Sequence, residues 1–219
     1  MKGLLIKDVL LTTKVQGKVF GALVLFAIFM TFTTDNPFYI VSYLTFICSI
    51  FSINAIAYDE FGNGYSFLFT LPVDARNYVT SKYIFSVIMT VASAVISFLI
   101  ASIVCVMKGK GGEVAEYGIP TLGIVAFVFV YLAILIPLEL KFGSEKSRML
   151  IFGVIGGSMA ILFAVVKLVG QNQELANRCM GIINGLGIGQ TIGMAIGISM
   201  VGMGFSYLLS LKIMENKEF

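Results

Sequence analysis

Six long stretches of this chain carry no charged residue, and nothing else in the sequence restricts its fold as much. They cover residues 19–34, 36–58, 83–107, 117–138, 149–166 and 179–211. A helix needs roughly 17–25 apolar residues to cross a hydrocarbon core about 30 Å thick. Six spans therefore fit. The balance of residue types agrees: 58% are apolar and 12% charged, with mean hydropathy +0.96, whereas a soluble domain carries about 25% charged residues. A membrane β-barrel would show alternating segments of about ten residues, and Ala126-Phe127-Val128-Phe129-Val130 does not alternate. The expected fold is all-α, a single polytopic transmembrane domain over residues 1–219.

The connectors are too short for a soluble domain, the longest being the stretch between residues 58 and 83. There is no histidine, which excludes HExxH zinc sites and Ser-His-Asp triads. The phosphate-cradling pattern G-x-x-x-x-G-K-[ST] is missing too. No catalytic residue, bound cofactor or metal site is expected in the chain. Cys48, Cys105 and Cys179 are scattered and suggest neither a metal cluster nor a disulfide framework. The interior polar groups of the spans are neutral, among them Asn54, Ser93, Ser97 and Gln190, while Glu139 and Lys167 sit at span ends. Charges inside spans mark ion and proton paths, so their absence disfavours a secondary carrier. The net charge of +3 is absorbed by the loops, and no basic-aromatic patch points to nucleic acid.

Lys and Arg set orientation. With the amino terminus inside, the inner segments hold Lys2, Lys7, Lys14, Lys18, Arg76, Lys82, Lys141, Lys146, Arg148, Lys212 and Lys217, against Lys108, Lys110, Lys167 and Arg178 outside. Both termini are thus expected in the cytoplasm. In residues 1–18, Lys7, Lys14 and Lys18 fall on one helical stripe, which reads either as an interfacial helix or as a lysine-flanked lead-in.

The richest segment is residues 59–74. Phe61, Tyr65, Leu68 and Phe69 follow i, i+4, i+7, i+8, placing four large apolar groups on one face of a short helix. Asp59 and Glu60 are expected in its first turn, where negative charge suits the helix dipole. Gly62 and Gly64 weaken a free helix, which implies packing against a partner. Pro72 ends this element, and Asp74 can cap the next, a span starting near Ala75 and reaching Met107, some 50 Å at 1.5 Å per residue. The competing reading is an amphipathic loop resting on lipid headgroups.

The acidic pair Asp59-Glu60, the aromatic stretch, Leu71-Pro72, Arg76 and Ser81-Lys82-Tyr83 resemble the permease subunits of type-2 ABC exporters, in particular the small bacterial peptide-exporter permeases that include the phenol-soluble modulin exporter. The resemblance implies a homodimer in the bacterial cytoplasmic (inner) membrane, working with two copies of a separate ABC ATPase that binds ATP and magnesium. Asp59, Glu60, Phe61, Tyr65, Leu68, Phe69 and Arg76 would form its ATPase-coupling element, and residues 139–148 a second contact. The family exports amphipathic peptides, antibiotics or lipid-linked molecules. A non-transporting membrane scaffold is the competing function.

Gly181, Gly185, Gly189, Gly193 and Gly197 recur every four residues. Small residues let membrane helices approach closely, but a spacing of four drifts about 40° per step, so one straight seam cannot hold all five. Gly189, Gly193 and Gly197 are then the expected helix-packing positions. Alternatively, residues 179–187 form a re-entrant piece ahead of a last span over 187–211. The remaining spans are expected at about 19–34, 36–58, 75–107, 117–138 and 149–167.

Overall fold

A computed structural model describes residues 2–33, 36, 38–60, 64–65, 74–171 and 187–217, with the backbone path alone at 31–33, 113 and most of 144–171. All regular structure among them is helical. Helix α1 (Lys2–Lys14) meets α2 (Gly17–Thr33) at a 61° bend. Helix α3 (Phe38–Glu60) starts where the Asn36 side chain accepts from the Phe38 N–H at 3.0 Å, satisfying a donor that the first helical turn leaves open.

Helix α4 (Ala75–Met107) has 33 residues. Asp74 occupies its N-cap position with extended backbone, yet makes no side-chain cap bond; its carboxylate instead accepts from Asn77 Nδ2 at 3.5 Å. At the other end Gly109, at φ 75°, lets the Lys110 N–H reach back to the Cys105 carbonyl at 2.9 Å. A side chain would resist that left-handed turn. A 3-10 turn (Gly111–Tyr117) leads into α5 (Gly118–Gln171), and α6 (Ile188–Glu215) follows.

Helix α5 is broken at Gly143, where φ 76° and ψ 172° lie in a region essentially confined to glycine. Four described helical stretches, Phe38–Glu60, Ala75–Met107, Val114–Gly143 and Ile188–Glu215, are long and apolar enough to cross a membrane, and the bent α1–α2 pair makes a fifth candidate. The expected fifth span, 149–167, falls where the backbone is helical but most side chains lie outside the described residues. The segment 179–186 lies outside them entirely.

The main core lies between α3, α4, α5 and α6 and includes Ile56, Tyr78, Val79, Leu132, Ile136, Leu140 and Met214. A smaller cluster of Ala27, Ile40 and Leu44 joins α2 to α3, with Ile100 and Val104 of α4 packed on it. Outward faces carry Leu99, Phe127, Val201 and Phe205, as lipid contact requires. Lipid gives no hydrophobic force between helices, so small residues and hydrogen bonds decide how they pack. Along α4, Ser86, Thr90, Ser93, Ser97 and Ala101 are buried, and the hydroxyls of the first four donate to carbonyls three or four residues earlier. Tyr83 Oη lies 2.6 Å from the Ser206 hydroxyl and 2.8 Å from that of Ser210, tying α4 to α6.

Candidate functional site

At the end of the bundle that holds both termini four charges meet, three of them buried. Lys82 Nζ donates to both carboxylate oxygens of Asp8, at 2.7 and 2.8 Å, and lies 2.7 Å from Asp59 Oδ2. Lys7 pairs with Asp59 and lies 3.8 Å from Asp8. The Tyr78 hydroxyl also donates to Asp59, at 3.1 Å. Two lysines and two aspartates leave the cluster neutral, which makes burial of Asp8 at 0% and Lys82 at 1% exposure tolerable. Burial still holds the Asp8 carboxyl above its ordinary range, with the Lys82 ammonium pulling the other way.

The cluster fixes how α1 lies. Asp8 and Thr12 are spaced by four, so they share a face of α1, and both are buried, as is Gln16 in the bend that follows. Ile6, Val9, Leu10 and Val15 are exposed. The polar stripe thus turns into the protein and apolar side chains turn out, with Lys7 drawn to Asp59 instead of lying on an exposed basic face.

Asp59 and Glu60 close the last turn of α3. The sequence expectation put them in the first turn of a new helix; in the structure they belong to α3, from which Asp59 reaches Lys82, Lys7 and Tyr78. Asp59 is accordingly buried within the chain. Glu60 lies against Gly143, where a Cβ would collide with its carboxylate. The root of the 59–74 segment therefore touches the break in α5, which belongs to the expected second contact at 139–148. Tyr65 is buried, with its ring edge-on to Tyr78 at 5.9 Å, and burial pushes its phenol upward. Lys217 sits 4.7 Å over the Tyr65 ring and donates to the Leu140 carbonyl at 3.1 Å. Ser147 donates to the buried Glu139 carboxylate within the 139–148 segment. Arg76 is exposed in the first turn of α4. Phe61, Leu68 and Phe69 lie outside the described residues.

Gly189, Gly193 and Gly197 are exposed along α6, and a Cβ on any of them would meet no described atom within 4 Å. They line no contact inside this chain among the described residues. Among those residues there is also no group of three or more potential metal ligands.

Asp8 and Lys82 escaped sequence reasoning. The signal was available: Asp8 is the sole acidic residue ahead of Asp35, and Lys82 has no acid nearer in sequence than Asp74 although it lies inside a 33-residue helix.

The family model for ABC-2 family transporter proteins matches residues 3–215, nearly the whole chain. The chain belongs to that family. It is a multi-pass membrane permease of the ABC-2 type, the non-catalytic transmembrane component of an ABC transporter. No curated protein and no solved structure matches it. Within such a permease, the four-charge cluster ties three separate helices together beside the segment expected to meet the energy source.

Proposed function

We propose that this ABC-2 permease is an exporter that acts as a homodimer with two copies of a separate ABC ATPase, with six spans and both termini in the bacterial cytoplasm. The observation that carries the reading is the meeting of Glu60 with Gly143, because it joins the two segments suited to contact an ATPase at one end of the bundle. Residues 59–74 are the coupling loop, with Phe61, Leu68 and Phe69 as its docking anchors and Arg76 beside them. Asp59 and Tyr65 root that loop in the protein. Closure of the ATPase pair would push the loop, and α4, continuous for 33 residues, would carry the push across the membrane. The cargo is an amphipathic peptide, antibiotic or lipid-like molecule.

The test is co-purification and transport. Phe61→Ala, Leu68→Ala and Phe69→Ala together should leave a folded, membrane-inserted chain that loses its ATPase, since aromatic anchors each contribute about 2 kcal/mol or more to an interface. Export should fall in parallel. Full ATPase retention and export by the triple variant would remove the coupling-loop assignment, and a native preparation with no ATPase would favour the scaffold.

A further inference from the structure

Beside the C-terminal end of α6 lies an open hollow of about 420 Å3 that shares only Lys141 with the 139–148 segment of the transport reading. It is lined by Lys141 from α5 and by Leu209, Lys212, Ile213, Asn216 and Lys217 from α6 and its end. Three lysines thus border it, with Lys141 Nζ 5.1 Å over the neighbouring Phe142 ring. Among the described residues none of their ammonium groups has a carboxylate within 4.0 Å. Of the described acids on the same elements, Glu139 is buried and accepts from Ser147, and Glu215 is exposed on the last turn of α6. Lys217 is held in place by the Leu140 carbonyl and the Tyr65 ring.

Lys212 and Lys217 also suit the negative end of the α6 dipole. That does not account for Lys141, which projects from a different helix into the same hollow. The walls decide the source of the anion. Leu209 and Ile213 line the hollow, and Leu208 and Phe205, one or two turns farther into the span, are exposed. Cationic groups at a membrane border above an apolar strip match the two halves of a phospholipid, and basic hollows between spans bind anionic headgroups. We propose that this hollow binds the phosphate of an anionic phospholipid, with an acyl chain lying along Leu209 and Phe205. The site goes beyond the export reading and holds whichever way the chain faces.

The purified full chain, freed of lipid in detergent, is offered equal phosphatidylglycerol and phosphatidylcholine, and bound lipid is counted by native mass spectrometry. Phosphatidylglycerol should be favoured about tenfold. Lys141→Gln with Lys212→Gln should bring the ratio near one, while Lys141→Arg with Lys212→Arg should keep it. Both variants spare Lys217, and an unchanged melting temperature confirms folding. Lys108→Gln with Lys110→Gln, at the opposite end, should leave the ratio intact. Excess inorganic phosphate should displace no phosphatidylglycerol. Equal binding of the two lipids, indifference to the Lys141 and Lys212 changes, or displacement by inorganic phosphate would each overturn the lipid assignment. These readouts need no ATPase, so they stand or fall apart from the export reading.

Discussion

Lys82 Nζ lies 2.7 Å from both Asp8 and Asp59, so one buried ammonium joins the first helix to the end of the third. Removing it strands two carboxylates with Lys7 alone. Lys82→Met should cost about 3–5 kcal/mol, the usual penalty for breaking a buried pair from one side. Lys7 is partly exposed, and Lys7→Gln should cost about 1 kcal/mol or less. A double-mutant cycle with Asp8→Asn, read from thermal unfolding in detergent, should show that Lys82→Met loses far less when Asp8 is already neutral.

Asp8 gives that cluster a pH signature. Its folded value is raised above the ordinary 3.8, so its contribution to stability is fully present below 3.8 and is lost as pH rises through the raised value. Wild-type stability should therefore drop across that window. Asp8→Asn should flatten this part of the profile, which melting curves over an acid-to-neutral series would record.

Gly143→Ala should cost about 1–3 kcal/mol from backbone strain alone, and the added methyl also collides with Glu60. Glu60→Ala should relieve the collision but not the strain, so the double variant should recover part of the loss. Thermal midpoints of the three proteins would separate the two contributions.

The α6 glycines allow a different comparison. Nothing described meets a Cβ at Gly189, Gly193 or Gly197, so Gly193→Leu should leave the folding of the single chain unaffected. If the stripe packs a second copy, the same change should abolish crosslinking between cysteines placed at Gly189 in two chains. Absence of crosslinking even without the Gly193 change would assign the stripe to lipid.

How much of this was legible follows from which forces are local. Helical class comes through because uncharged runs of span length admit little else. The last turn of α3 did not come through: a pair of acids followed by an aromatic period reads locally as a helix start, and the partner that holds Asp59 inside the protein is Lys82, 23 residues away in sequence (82 minus 59). The orientation of α1 was hidden for the same reason. Its lysine stripe looks like the wet face, yet the partner that turns Asp8 inward sits 74 residues on. Gly143 was one glycine among 23, and its backbone angles depend on a break between two helices that residue types alone do not mark.

The inward polar face of α1 also has a consequence for synthesis. Asp8 leaves the ribosome 74 residues before Lys82, an interval of roughly 4–15 s at about 5–20 residues per second. For that time α1 has neither of its distant charged partners, since Asp59 also trails it. Helix α1 thus docks only after the third and fourth helices are made, although it precedes both along the chain.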